Sequence, residues 1–384
     1  MILKWQRMPT VGWFVWLIAL WSIASVCLAQ QSPDISPSQS LAIFNVTLSK
    51  SSFDPSRGQA VELNYRLSRS AKVTVKIFDP DRELIRVLSK DVEQSQGPHK
   101  LAWDGKDLDA RVVPNEAYFF TIEAEDATGS QIVYDPITFS GGEPFEITEG
   151  RIDREGGTLS YRLSKPSRVS VRAGVASSAL LRTLVDWEPR IAGTITEYWN
   201  GKDRDNLINL WDLEDHKIVI SYFTLPETSV IAYGNSTLDY RTYKHGLSTA
   251  RPKKADRPMV NRRRVSPHFL ASRLQDRELA ATLSFPEFDK SEEKAVPEVK
   301  DAVVVRIDVP SQEDREILLG QRFEIILFID TVYYAEEERG YIPFNYPLDV
   351  SGVPEGEHVL TVNIITPKNQ FAIASRKLKV VKQP

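Results

Sequence analysis

Two short motifs combine an indole with carboxylate and amide groups, and they stand 96 residues apart. Trp103-Asp104-Gly105-Lys106-Asp107 returns as Trp199-Asn200-Gly201-Lys202-Asp203. An exposed Trp beside carboxylates could bind a sugar or a cation. However, each Trp ends an apolar run, where a large ring contributes most to a core, and Asp-Gly and Asn-Gly are typical of tight turns. We therefore predict a structural turn motif, made of Trp103, Asp104, Gly105, Asp107, Trp199, Asn200, Gly201 and Asp203.

Positive charge is concentrated in residues 241–273, which hold ten Lys or Arg residues against one acidic residue, Asp256, in a chain of formal net charge −4. Such a segment can be a linker kept extended by self-repulsion. It can also dock on an acidic partner or an anionic surface. A third alternative is a hinge clasp, in which the acidic residues from Glu287 to Glu298 fold back on the arginines. The candidate docking patch consists of Lys253, Lys254, Arg262, Arg263 and Arg264.

The other reactive residue types form no catalytic or metal-binding pattern. The five His residues are scattered without the spacing of metal ligands, and the sequence has no Gly-rich phosphate loop, nucleophile elbow or zinc signature. Glu336, Glu337 and Glu338 are best explained as a solvated loop. Aromatic residues are few in the basic segment, which disfavours a nucleic-acid groove. We predict no enzymatic activity, no cofactor, no metal and no nucleic-acid partner.

A longer repeat must position the two turn motifs. At the same offset of 96, Leu63, Tyr65, Arg66 and Leu67 return as Leu159, Tyr161, Arg162 and Leu163. A period of this length is that of a whole domain, because solenoid repeats are shorter. Apolar and polar residues alternate within it, which predicts strands with one buried face. Several short strands separated by turn residues, with no convincing helix, are typical of an antiparallel sandwich.

The order of these motifs resembles a known module, the FlgD-type Ig-like domain first described in the flagellar hook-assembly protein. The resemblance covers roughly residues 45–140 and recurs, degraded, in roughly 145–235, where Asn200 replaces an aspartate and Trp211 interrupts the approach to the last long strand. It implies an Ig-like sandwich of a kind that recurs at the ends of many exported bacterial proteins. The residues that carry it are Tyr65-Arg66-Leu67-Ser68, Val73 and Val75, Leu84-Ile85-Arg86-Val87-Leu88, Gly97-Pro98-His99, Trp103 to Asp107 and Ala117-Tyr118-Phe119.

We predict an all-β chain of three Ig-like antiparallel β-sandwich domains in tandem, with a basic, mostly irregular connector before the third. Alternation resumes from Val303 to Val380, but without the Trp turn, so the family resemblance does not extend to the third domain. The predicted divisions are a flexible lead at 30–44, the first sandwich at 45–142, the degraded copy at 143–237, a charged linker with a short helix after Ser266 at 238–298, and the third sandwich at 299–384.

Residues 1–29 have the features of an export signal. Lys4 and Arg7 precede an apolar run, and Cys27-Leu28-Ala29 provides a small-x-small cleavage site. The alternatives are a membrane anchor through this segment or a lipidated Cys27. Cys27 is the only cysteine, so cleavage after Ala29 leaves a protein without disulfides. We predict an exported protein in the periplasm, in the outer envelope or outside the cell.

These features favour a non-catalytic scaffold or adhesion protein that binds other envelope or extracellular proteins. The alternative is an accessory or carbohydrate-binding part of an extracellular enzyme system, which would need an exposed aromatic platform or a polar cleft in residues 299–384. The resemblance adds a scaffold like the flagellar hook-assembly protein. The export signal argues against that role, because the family passes through the flagellar export apparatus without one. The sequence leaves the partner and the oligomeric state open.

Overall fold

The computed structural model describes residues 40–147, 150–247, 265–289 and 296–382. The predicted export signal with Cys27, most of the predicted lead and the candidate docking patch (Lys253, Lys254, Arg262, Arg263 and Arg264) lie outside these residues. Strands dominate the described chain and form several antiparallel sheets, which confirms the predicted all-β class. Within the same ranges, no helix combines the length and the apolar character needed to cross a membrane.

The strands are numbered in chain order. Those in the first part of the chain are β1 Ile43–Leu48, β2 Ser52–Phe53, β3 Val61–Leu67, β4 Ala71–Phe78, β5 Leu84–Gln94, β6 Gly97–Trp103, β7 Glu116–Glu125 and β8 Gln131–Tyr134. The next are β9 Pro144–Ile147, β10 Arg151–Asp153, β11 Thr158–Leu163, β12 Ser167–Val175, β13 Leu180–Arg190, β14 Gly193–Tyr198, β15 His216–Thr224 and β16 Val230–Ala232. The last are β17 Thr282–Ser284, β18 Glu298–Val299, β19 Ala302–Asp308, β20 Glu324–Ile329, β21 Val332–Glu337, β22 Phe344–Asp349, β23 Gly356–Ile365 and β24 Phe371–Val380.

The described helices are short. They are α1 Pro136–Phe139, α2 Tyr240–His245, α3 Pro267–Leu270 and α4 Gln312–Leu319, with single 3₁₀ turns at Pro55–Arg57 and Leu210–Asp212. Helix α4 was not predicted, although its ends carry ordinary signals. The Ser311 side chain accepts a hydrogen bond from the Asp314 N–H, and Gly320 follows the last turn.

Module 1 is the sandwich formed by sheets β1-β3-β6 and β2-β16-β7-β4-β5, with β8 beside β7. The alternation predicted along β3 is observed, since Val61, Leu63, Tyr65 and Leu67 are buried. Strand β16 comes from far along the chain, yet it completes this sandwich by pairing in parallel with β2 and antiparallel with β7.

Module 2 is formed by sheets β10-β11-β14 and β13-β12-β15-β9. Its strands keep the spacing of module 1, because β13 has the same length as β5 and begins 96 residues later. The chain enters module 2 after β8 and returns to module 1 at β16. Module 2 is therefore inserted between two strands of module 1, and it does not simply follow it.

Module 3 is formed by sheets β17-β19-β22 and β18-β24-β23-β20-β21. Its core contains Phe285, Ile325, Leu360 and Leu378, among other buried residues. Two of its strands, β17 and β18, begin within the predicted linker at 238–298. At the other end of that linker, Tyr243 and Leu247 belong to the core of module 1. The linker thus differs from the prediction at both ends, because its apolar residues complete neighbouring cores.

Candidate functional site

The two turn motifs are closed by their own indoles. Trp103 is fully buried, packs at 5.2 Å from the Tyr118 ring, and donates from Nε1 to the carbonyl of Lys106 at 3.0 Å. Trp199 is also buried and makes the matching bond to Lys202 at 2.8 Å. Because neither ring face is open to solvent, the arrangement supports the structural interpretation over a sugar platform.

The carboxylates of the two motifs have different partners. Asp107 is buried, and its Oδ2 accepts from Tyr243 Oη at 3.0 Å and from Arg111 Nη2 at 3.1 Å. Asp203 is equally buried and accepts backbone bonds through Oδ1. Its Oδ2 has no hydrogen-bond partner within the described chain. The Asp203 N–H donates to the Ile208 carbonyl as the Asp107 N–H does to the Arg111 carbonyl, so Ile208 takes the place of Arg111 and offers no guanidinium.

Helix α2 delivers further polar groups to module 1. The Lys244 ammonium lies 2.6 Å from Asp79 Oδ2 and 2.8 Å from Glu83 Oε2, with its side chain only 3% exposed. Tyr240 Oη donates to Asp79 at 3.0 Å. Burial raises the pKa of Asp79 to about 6, although the Lys244 charge opposes that rise. Burial alone would lower the pKa of Lys244, but the carboxylates raise it and keep the ammonium charged.

The segment from Ser266 to Ala280 joins all three modules. The Arg273 backbone N–H donates to Asp81 of module 1 at 2.7 Å, and its guanidinium donates to the Asp186 carbonyl of module 2 at 3.1 Å. Arg277 pairs with Asp314 at the start of α4 in module 3. We call residues 238–247 and 265–280 together the connector clamp.

A buried ion pair lies where modules 1 and 2 meet the connector clamp. Arg168 contacts both oxygens of Glu116, at 2.6 and 3.1 Å, and donates to the Trp187 carbonyl at 2.9 Å. The His268 ring stacks on Trp187 at 4.1 Å. Arg273 Nε is 3.4 Å from Glu116. Removing one member of such a pair would leave a buried charge without its partner, which costs about 3 to 5 kcal/mol.

The described basic residues of the connector thus pair within the molecule. Arg241 and His245 lie near Glu313 of α4 at 3.7 and 3.2 Å, which adds to the contacts of Lys244, Arg273 and Arg277. The hinge clasp, the alternative in which acids from Glu287 to Glu298 fold back on the arginines, involves Arg262, Arg263 and Arg264, which lie outside the described residues. Asp289 pairs with Arg376, and Glu298 pairs with Lys379, so these acids bind module 3.

Module 3 covers the end of module 2 that carries Trp199. Phe328 joins the apolar cluster that contains Leu181 and Trp199. The Asn363 side chain makes two bonds of 2.8 Å with the backbone of Leu180. The same end of module 1 receives α2, so the segment that follows each module closes it at the equivalent place.

The carbohydrate alternative requires an exposed aromatic platform or a polar cleft in module 3. Tyr333 and Tyr341 are both exposed, but they meet Phe328 and Phe344 edge-on, at interplanar angles of 83° and 87°. A cleft of about 660 Å³ lies between α3 and module 3, lined partly by Leu270, Gln321 and Lys368. In the ranges that the structure describes, no group of three His, Cys, Asp or Glu residues is placed to hold a metal ion.

Residues 50–128 match the family model of the FlgD Ig-like domain. Over 69 residues the chain is 39% identical to the basal-body rod modification protein FlgD of Salmonella typhimurium and to that of Salmonella typhi, covering 18% of this chain and 29% of each relative. The chain therefore spans less than a third of the length of these relatives. The described chain thus contains one FlgD Ig-like domain within an all-β body.

Solved structures similar to this chain include the fibronectin(III)-like modules of Clostridium thermocellum CbhA, with 8% identity, a TM-score of 0.19 and coverage of 88% of this chain and 94% of that one. A tetra-tandem repeat from the extending region of a large adhesion protein has 10% identity, a TM-score of 0.18 and coverage of 89% and 74%. The endo-β-1,4-mannanase of Thermotoga petrophila has 24% identity and a TM-score of 0.20 over 27% of this chain and 20% of that one.

Proposed function

We propose that the protein is a non-catalytic, exported scaffold that holds partner proteins of the cell envelope or of an extracellular assembly on a body of fixed shape. The observation that carries the proposal is the connector clamp. A spacer between independent domains needs only an exposed linker. Here Lys244 is buried and paired with Asp79 of module 1, and buried Arg273 contacts Glu116 of module 1 and the Asp186 carbonyl of module 2. Breaking such a pair leaves an uncompensated buried charge, and we take the role of these pairs here to be to fix how the segments meet.

We further propose that module 2 is a degraded second copy of the FlgD Ig-like domain. The gapless offset of 96 residues supports this origin, as do the matching bounds of β5 and β13. Loss of side-chain partners in one copy, such as Ile208 at the place of Arg111, is what divergence after duplication produces. Export through residues 1–29, with the membrane anchor and lipidated Cys27 as alternatives, is part of the same proposal.

The test is recovery of partners from the native envelope with the affinity-tagged full chain. We expect one or a few proteins to be retained in amounts comparable to the chain itself. The comparison variant is Arg273→Ala. It should weaken the contacts of the connector clamp and retain less partner, while the modules stay folded. A chain that retains no protein but binds or hydrolyses a polysaccharide would contradict the scaffold role and favour the carbohydrate alternative.

A flagellar hook-assembly-like scaffold is a second candidate. It is favoured by the 39% identity over 69 residues to the two basal-body rod modification proteins. Deleting the gene and imaging the flagellar bases would decide between the candidates. Missing or aberrant hooks would support the flagellar role, and normal hooks would exclude it.

A further inference from the structure

Strand β21 is the outer strand of the larger sheet of module 3 and pairs only with β20 among the described strands. It has six residues and no proline. The neighbouring outer strand β22 contains Pro347, which has no N–H to donate. A β-bulge at Tyr334 interrupts the pairing of β21 with β20. On either side of this bulge the strand presents outward backbone donors and acceptors, and such an edge can pair with an added strand.

Contacts within module 3 and with module 2 hold the start of β21 in place. Asp330 and Thr331 form the turn before it with φ values of 47° and 69°, as in the tight turns of two-residue hairpins. Asp330 accepts from the Val359 N–H at 2.9 Å, and Ser178 of module 2 donates to the Thr331 carbonyl. A pre-ordered edge loses little conformational entropy when a strand is added.

The side chains of β21 differ from those of edge strands that are protected against pairing with another strand. Val332 is 68% exposed and Tyr333 is 55% exposed. They lead into Glu336, Glu337 and Glu338, and no ion pair of these three is present in the described residues. Charged residues alone would protect an edge from aggregation. An apolar start followed by a run of one charge sign instead selects a strand with apolar residues and cations.

A strand of that chemistry is present in the sequence itself. Residues 259–264 read Met-Val-Asn-Arg-Arg-Arg, six residues without proline, bounded by Pro258 on one side and Ser266-Pro267 on the other. We propose that the β21 edge binds residues 259–264 of a second copy of this chain, with the arginines against the three glutamates. The surface and the segment of each copy are different, so the contact is head-to-tail and can propagate into chains.

The first experiment is sedimentation velocity of the full chain as its host produces it, over a range of concentrations and salt. We expect self-association that weakens steeply between about 0.05 and about 0.5 M NaCl, because salt screens charges over less than about 10 Å. Replacing all three glutamates by Gln, or Arg262, Arg263 and Arg264 by Gln, should weaken it at least about tenfold. A chain that stays monomeric throughout, or variants that associate as well as the original, would overturn the proposal.

Charge-reversal variants and amide hydrogen exchange make the test specific to this contact. One variant carries Glu336→Lys, Glu337→Lys and Glu338→Lys, and the other carries Arg262→Glu, Arg263→Glu and Arg264→Glu. Each should fail to associate alone, and their mixture should associate, because each surface then meets an oppositely charged segment. Association of the original chain should also slow exchange at the outward amides of β21. Restored association without that protection would contradict strand addition.

This inference deepens the proposed scaffold role, and the two can fail separately. A chain that retains envelope partners yet stays monomeric contradicts the self-assembly alone. A chain that self-associates through β21 but retains no partner contradicts the partner-binding role alone.

Discussion

Module 1 and module 2 are closed at the same end, but the incoming segments meet different chemistry there. In module 1, α2 brings Lys244 onto Asp79 and Glu83. At the positions 96 residues later, module 2 has Val175 and Ala179, and it receives Phe328 in an apolar cluster. One architecture thus accepts either a charged helix or an apolar strand, and a few substitutions on the receiving surface decide which.

The largest expected effect concerns the boundary of module 1. The fragment 45–142 lacks β16 and α2, so Asp79 and Asp107 lose buried partners and the sheet loses a strand. Because domains are stable by only about 5 to 15 kcal/mol, we expect this fragment to be unfolded or barely folded. The same fragment joined through a Gly-Ser linker to residues 228–247 should unfold cooperatively in urea. Equal stability of the two fragments would show that the returning segment is dispensable.

The next effect concerns the two indoles. Trp103→Ala should cost about 3 to 5 kcal/mol through lost burial and the cavity left behind. Trp199→Ala should lie at the lower end of that range, because the neighbouring Trp211 ring, 4.6 Å away, can shift into the space. Hydrogen exchange at β4 and β12 reports the two modules separately. If Trp103→Ala leaves β4 protection unchanged but abolishes binding of a ligand, the structural interpretation of the motif is wrong.

A smaller effect distinguishes the two buried aspartates. Asp107→Asn should destabilise module 1 by about 1 to 3 kcal/mol, because Tyr243 and Arg111 lose a charged acceptor. Asp203→Asn should cost module 2 less than Asp107→Asn costs module 1, since Asp203 Oδ2 has no partner within the described residues and an amide oxygen still accepts the two backbone bonds made by Oδ1. The same exchange measurement at β4 and β12 tests this. Similar losses at both sites would mean that Asp203 has an additional partner.

The smallest effect is a pH dependence confined to the joint between modules 2 and 3. Burial alone would lower the pKa of His358, but Asp330 and the Pro354 carbonyl raise it. A raised pKa in the folded state contributes stability that is complete below about pH 6.5 and is lost as the pH rises through the folded value. We expect exchange at β20 to quicken above neutral pH by the equivalent of under about 1 kcal/mol. His358→Gln should remove this dependence of β20 exchange on pH. If the dependence is unchanged, another titrating group causes it.

Local patterns in the sequence were sufficient for the all-β sandwich class. The period-two alternation of β3 and the Trp at the end of β6 are set by neighbouring residues, and the buried indoles agree with the predicted turn. Helix α4 could have been found from Ser311 and Gly320. The insertion of β16 could not, because three residues carry too little pattern to show which sheet they join. The ion pair between Lys244 and Asp79 could not be predicted either, because 165 residues separate the two in the sequence.

The topology of module 1 has a mechanical consequence. Tension applied between the two ends of the described chain enters module 1 through β1 and then β2, and leaves it through β16, which is paired in parallel with β2. Pulling the two strands toward opposite ends loads their hydrogen bonds together, in shear, so they cannot open one at a time. Along the chain, module 2 lies between the two attachment points, so force reaches it only through its contacts with the connector clamp and module 3. Once those contacts and module 1 give way, module 2 would release its length as a reserve.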